Sequence, residues 1–480
     1  EELRILLLPP PLPARPPALP SFFDGAALPA PRLRDSGAPL GPEHVERLGQ
    51  LLALLPLEAA RSAVASVHSA CEPSSLGDFA RALVERWVAH DAPTKEKWVL
   101  LAAALLGDDL VAHQLASSIA TWAAEGHHAR AAAGAEALRE LGTDVALSHL
   151  SRFAEKSKAK GLKKRARFEL DAFREEHGLD EDALADRLVP DLGFDARGEL
   201  TLSYGPRSFR VVFDETLKAT LTDGDRPLRS LPKVVATDDS TLAERATATW
   251  AAVKTESKVL VEAQVRRLER AMCQRRRWTA ERFATYLHRH PLLQHVARRL
   301  VWGAFDGTAT LLTTFRVAED GSLSDASDAA SELPRGAQIG LVHPVDLGAE
   351  LAARWGNVFG DYEIVQPFPQ LAREVRALTA EEQASATLKR FEGTRVEGSR
   401  FFGLRHRGWE LIDYGLGKRL AGGRVASLET QPGLEFLASR PADQTLGAVT
   451  LRGSAPDQAF GALDPLEASE VIRDLEMLTR

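Results

Sequence analysis

Two cationic clusters are the residues whose type and spacing could do chemistry in this chain. Lys156, Lys158, Lys160, Lys163, Lys164, Arg165 and Arg167 follow one another without an intervening acid. At helical pitch Lys156, Lys160, Lys163, Lys164 and Arg167 share one stripe, a form suited to a phosphate backbone. A solvated helical face is the competing reading, and Gly161 weakens the helix. The second cluster is Arg266, Arg267, Arg270 and Arg277, opposite an apolar stripe of Val261, Val265, Leu268 and Met272. Its guanidinium groups could grip phosphates or acidic partners in bidentate contacts, or pair internally with Glu262 and Glu269.

Other reactive combinations are incomplete. The two cysteines, Cys71 and Cys273, are too far apart in sequence for a thiolate zinc cluster and too few for a disulfide framework. Both read as reduced structural thiols. A P-loop needs a Gly-rich turn ending in Lys and a hydroxyl; Gly415-Leu416-Gly417-Lys418-Arg419 is too short, lacks the hydroxyl and reads as a turn. His288 and His290 lie on a segment that reads as a helix ending at Pro291, so they diverge and read as capping or packed side chains. His127-His128 offers no better ligand pair, and no HExxH sequence occurs. The adjacent carboxylates Asp108-Asp109 and Asp238-Asp239 suit helix starts and turns. No Gly-x-Ser-x-Gly nucleophile elbow is present. No cofactor or metal site is implied.

These residues must be positioned by more than one domain, since 480 residues exceed the size at which a single core keeps growing. Apolar residues at 44% and charged residues at 26% are those of a soluble globular protein. A net charge of -7 argues against wholesale binding of nucleic acid or anionic membrane while allowing a local basic patch. No apolar run approaches a membrane span and the start lacks the core of a signal peptide, so a cytoplasmic protein is expected. The first residue is not Met, which suggests a piece of a longer protein.

The expected fold class is multidomain α+β. Residues 1–42 carry Pro9-Pro10-Pro11, Pro13, Pro16-Pro17, Pro20, Pro29, Pro31 and Pro39, an extended strap or linker rather than a core element. From 43 to 190 apolar residues recur at helical spacing between breakers, and Ala135–Leu150 reads as a HEAT-type pair of helices turning at Gly142-Thr143-Asp144. From 191 the pattern becomes α+β. A β-hairpin region spans 191–235, with strands at 198–205 and 208–214 and a third at 217–221. A helical block covers 236–305. Residues 306–480 are mixed, with strands at 309–317, 339–342, 362–365 and 448–451 and a last helix over 465–478. Gln366-Pro367-Phe368-Pro369 reads as a rigid packed connector, and Trp302 and Trp409 as core anchors.

The order of residues from Gln264 through Arg267-Leu268-Glu269, Ala271-Met272, Trp278, His290-Pro291 and Val301-Trp302-Gly303-Ala304-Phe305-Asp306 follows no catalytic logic. Together with Leu202–Phe209, Leu231-Pro232-Lys233, Asp238-Asp239, His343-Pro344, Gln366–Leu371, Gly408-Trp409 and Ser469–Leu475, it resembles the bacterial molybdate-metabolism-regulator-like family of undetermined biochemistry. The resemblance covers about 195–480. It implies an accessory protein working near MoxR-type AAA+ ATPases and von Willebrand-factor-A proteins, and it transfers no catalytic residue. Some relatives carry a DNA-binding WGR module. Arg354-Trp355-Gly356-Asn357 is not one, so that inference does not carry over.

The expectation is therefore a non-enzymatic scaffold or regulatory adaptor that binds other proteins. Two alternatives stay open: association with nucleic acid through 156–167 and 266–277, and an enzyme with a site in the C-terminal region.

Overall fold

The computed structural model describes residues 16–412, 415–434, 442–453 and 459–480. The chain divides into two compact units, Glu1–Pro190 and Asp191–Arg480. The described part of the first is all-α; the second is α+β with antiparallel sheets.

In the first unit the labelled helices are α1 Pro42–Leu52, α2 Glu58–Ala70, α3 Pro73–Ala89, α4 Trp98–Leu106, α5 Asp109–Ala124, α6 His128–Leu141, α7 Asp144–Lys156, α8 Lys160–Glu176 and α9 Glu181–Arg187. From α3 to α8 most helices pack on the next helix and on the next but one, which sets α3, α5 and α7 in one layer and α4, α6 and α8 in another. Short caps make this stacking regular. Asp108 accepts from the amides of Leu110 and Val111 at the start of α5. Gly142, with φ at 64°, ends α6, and the Thr143 hydroxyl accepts from the Ala146 amide to start α7.

The proline-rich segment differs from expectation. Pro9 to Pro13 lie outside the described residues, but Phe22, Phe23, Leu28 and Leu40 are buried in the helical core. Proline denies this strap regular backbone pairing, so it is held by inserted side chains and by isolated bridges such as Leu33 with Cys71.

In the second unit β1 Leu200–Ser203, β2 Ser208–Phe213, β3 Ala219–Asp223 and β4 Arg226–Leu228 form an antiparallel meander. One face packs on α10, a 34-residue helix spanning Ser240–Cys273, through Ala243, Ala246 and Val253. The expected helical block over 236–305 is interrupted beyond α10. Trp278–Thr279 forms β5 and Trp302–Phe305 forms β6, which join β7 Leu311–Val317, β8 Leu323–Ser324 and β9 Gln338–Leu341 in the order β5-β9-β6-β7-β8. All four residues of β6 are buried, so strand alternation was invisible in a continuous apolar run. Conversely, 362–365 is no strand: Tyr362 ends a helix and Glu363 takes a positive φ of 53°.

That helix, α11, spans Pro344–Asp361 with a break at Gly348. The remaining sheet runs β10-β15-β14-β13-β12, with β11 also pairing β15. Its strands are β10 Thr387–Leu388, β11 Arg395–Val396, β12 Trp409–Ile412, β13 Gly415–Arg419, β14 Val425–Gln431 and β15 Gln444–Arg452. The Gly415–Arg419 string is thus a strand rather than a turn. The last helix, α12 Pro465–Thr479, buries Val471, Ile472, Leu475 and Leu478 in the core to which this sheet also contributes. No helix among the described residues is long and apolar enough to cross a membrane.

Candidate functional site

Helix α12 carries polar residues where its apolar face should continue: Ser469, Glu470 and Asp474 are each buried. A carboxylate in such a place requires charged partners. Arg373, itself 3% exposed, supplies them to Glu470 through a fork. Its Nε donates to Oε1 at 2.8 Å and its Nη2 to Oε2 at 2.6 Å, while Nη1 reaches Glu269 of α10 at 2.8 Å. His343, the N-cap of α11, adds an Nε2 contact to Glu470 Oε1 at 3.3 Å while its Nδ1 accepts from the Val345 amide. Cys273, the last residue of α10, donates its thiol to Glu470 Oε2 at 3.3 Å.

Burial by itself would raise the Glu470 carboxyl, but the hydrogen bonds from Arg373 and His343 hold it well below the usual carboxylate range. Burial and then the Glu470 charge push the Cys273 thiol far above its ordinary value. It is a protonated thiol rather than a nucleophile.

One turn further along α12, Asp474 receives Trp409 Nε1 at 2.9 Å, Lys418 Nζ at 2.7 Å and Arg407 Nη1 at 3.3 Å. Arg275 joins Asp346, in the first turn of α11, to Asp464, the N-cap of α12. Gln370 completes the frame: its amide donates to the carbonyls of Val301 and Val342 and its oxygen accepts from the Val301 amide. Segments scattered over some 200 residues of sequence therefore meet in one buried polar assembly. Each accepting oxygen of Glu470 and Asp474 is already engaged, so neither carboxylate is free to take a proton from a substrate.

Beside this assembly lies a cleft of about 660 Å³ lined by Pro344, Val345, Ala349, Ala352, Val375, Leu378, Phe460 and Ala468, with Arg376 and Gln383 among its few polar groups. The size suits a small ligand or a few inserted side chains. Arg376 is occupied by Glu476 and Glu374. Among the described residues no group of three or more His, Cys, Asp or Glu side chains could hold a metal ion.

The two arginine and lysine clusters are placed differently from the expected stripes. The 156–167 helix is broken: Lys156 ends α7, Ser157–Ala159 turn, and Lys160 begins α8. The cations gather at a corner, with Lys156, Lys160, Lys164 and Arg167 exposed and Lys163 donating to the Glu155 carbonyl at 2.9 Å. In the second cluster Arg266 and Arg270 are exposed, but Arg267 is 9% exposed and bonds Gln264 through Nε. Arg277 is half-buried. Its guanidinium lies 3.6 Å from the centroid of Phe305, over Gly340, where a Cβ would come within 2.5 Å of Nη1. Gly340, lacking a side chain, makes the slot this arginine fills, while the Gly303 opposite it packs against Leu311, Val342 and Phe305. Burial lowers its pKa to about 10. Of these four arginines, Arg266 and Arg270 are the exposed ones.

His290 caps a short turn, its Nδ1 accepting from the amides of Leu292 and Leu293, and His288 Nε2 bonds the Gly321 carbonyl. Residue-by-residue chemistry missed Arg373 and the Arg275 bridge. One signal was available: Glu470 and Asp474, four apart, sit among the apolar residues of a short helix and so demand buried partners.

Residues 226–409 match the model of a family described as a domain of unknown function (DUF4132). The matched region contains Glu269, Cys273, His343, Arg373 and Trp409, and ends before α12. The chain is 34% identical over 401 residues to the uncharacterized protein YehI of Escherichia coli (strain K12), covering 83% of this chain and 33% of that protein. It thus spans about a third of the length of the curated relative it matches. No solved structure matches. The similarities are to proteins whose function is itself unknown.

Proposed function

We propose that the chain is a non-enzymatic cytoplasmic adaptor that binds other proteins, and that its polar assembly is a structural lock. The observation that carries this reading is the saturation of Glu470 and Asp474 by Arg373, His343, Cys273, Trp409, Lys418 and Arg407. Groups so engaged fix the relation of α10, α11, α12 and the 370–378 segment; they leave no acid–base pair for turnover. The apolar cleft beside them would receive apolar side chains of a protein partner. The stacked α3–α8 layers, taken as HEAT-like repeats, would offer a second surface, as such arrays commonly do.

The likeness to molybdate-metabolism-regulator-like proteins points to a MoxR-type AAA+ ATPase as the partner class. The test is calorimetric titration of the intact chain with a purified MoxR-type ATPase, beside the cleft-filling variant Ala349→Trp. Ala349 is exposed on the cleft wall, so the fold should tolerate the larger ring. Saturable binding that Ala349→Trp weakens at least about tenfold supports the reading, since losing one packed contact of about 1.4 kcal/mol has that effect. Absence of binding removes this partner class. Equal binding by both proteins removes the cleft.

A further inference from the structure

We propose that the corner between α7 and α8 binds single-stranded nucleic acid, with phosphates on the free cations and one unpaired base stacked on Phe168. This goes beyond the adaptor reading and stands or falls separately from it.

The cations alone would name no partner. Lys156, Lys160, Lys164 and Arg167 are exposed and have no ion pair among the described residues. Their charge is therefore available to a polyanion, with release of its counterions as the driving force. Because the helix breaks at Ser157–Ala159, they are presented around a corner rather than along one rod.

Phe168 is the second, independent feature. It is 60% exposed, an unusual state for a phenyl ring, and it lies one helical turn beyond Lys164 and beside Arg167. The Arg165 guanidinium sits 5.4 Å from its centroid. Arg165 is itself held by Glu136 at 3.1 Å, so the ring has a fixed neighbour on one side. Lys160, Lys164 and Phe168 succeed each other at a rise of about 6 Å along one face of α8. A cationic track that ends on an open aromatic ring is the arrangement by which single strands are held without sequence preference: phosphates on the track, a base on the ring.

The alternatives fit less well. A carboxylate-rich peptide would use the cations and leave the phenyl ring without a role. An anionic membrane would need several apolar side chains to insert, whereas Phe168 has charged neighbours and Asp171, 68% exposed, bounds the patch one turn on. Duplex nucleic acid keeps its bases stacked inside and offers no free face.

The experiment is fluorescence anisotropy of the intact chain with a labelled oligothymidine of about 12 nucleotides and with a duplex of equal length. Unlabelled polyglutamate and phosphatidylserine vesicles serve as competitors. The expected results are preference for the single strand and a log–log salt slope of about -3, for four phosphates neutralised. Phe168→Ala should weaken binding by at least about fivefold without altering the salt slope. Lys160→Glu with Lys164→Glu should weaken it further and flatten the slope. All these positions are exposed, and circular dichroism will verify that the variants fold. Absence of binding overturns the proposal. So do equal affinity for the duplex with no effect of Phe168→Ala, and displacement by polyglutamate or vesicles at equal charge.

Discussion

Replacing Arg373 by Met tests the lock at its centre. The substitution keeps an unbranched side chain of similar reach but removes the guanidinium, leaving Glu470, 2% exposed, with His343 and Cys273 as its partners among the described residues. Removing one member of a buried pair costs about 3–5 kcal/mol, because the other charge stays buried and unpaired. For a unit of this size the unfolding midpoint should fall by about 6–20 °C. The pH dependence makes the test specific. In the native protein the Glu470 carboxyl is held far below its ordinary value of 4.5, so the pair contributes fully above that value. That contribution is lost only as pH falls through the depressed native pKa. Without Arg373 the buried carboxyl shifts upward and protonates at milder acidity, which relieves the unpaired charge. The gap between Arg373→Met and wild type, read by calorimetry or urea unfolding, should therefore narrow as pH falls from about 8 toward 4, beginning above the ordinary value of 4.5 as the variant's carboxyl takes up its proton. Adding Glu470→Gln should recover much of the loss. A fall in midpoint of less than about 2 °C would refute the argument, as would a gap equal at pH 4 and pH 8.

Three further outcomes follow from the same geometry. Cys273, protonated by burial and the Glu470 charge, and Cys71, raised by burial, should resist iodoacetamide in the native protein and react once urea unfolds it; rapid native labelling of Cys273 would contradict the assigned geometry. Gly198 has φ at 77° and a Cβ there would meet His295 Nε2 at 2.1 Å, so Gly198→Ala should cost at least about 1–3 kcal/mol in urea unfolding. An unchanged denaturation midpoint would show that the 195–199 turn is not held against His295. Burial lowers the pKa of His295 to about 4. Its neutral form is the native one, so stability should decline as pH falls from 6.5 toward 4, and His295→Gln should flatten that decline; identical pH profiles for variant and wild type would count against it.

The parts of the fold visible in the sequence were those set by local rules. The Gly142-Thr143 turn, the β1–β2 hairpin and the Pro465 helix start each rest on cap, turn or alternation chemistry within a few residues. Strand β6 was hidden because both its faces are buried, and the proline-rich strap because its anchoring depends on Phe22 and Phe23 finding a distant core. The basic stripe failed at Ser157–Ala159, where two helices abut and charge spacing is indifferent to the break. Of the polar assembly the sequence motifs held Glu269, His343, Trp409, Glu470 and Asp474 without joining them, while Arg373 lay outside every motif. Glu269, Cys273, His343, Arg373 and Glu470 are separated by up to some 200 residues, and only the folded chain makes Arg373 the partner of the rest.

Hydrogen exchange measured on the intact chain, alone and with a purified MoxR-type ATPase, tests most directly whether the lock supports a protein-docking cleft. The expected result is slow exchange throughout α12 in the free protein, with added protection on binding confined to the cleft walls at 344–352 and 375–378. Fast exchange of α12 in the free protein would contradict a lock. A complex that leaves both cleft walls unprotected, or no complex at all, would contradict the proposed docking role.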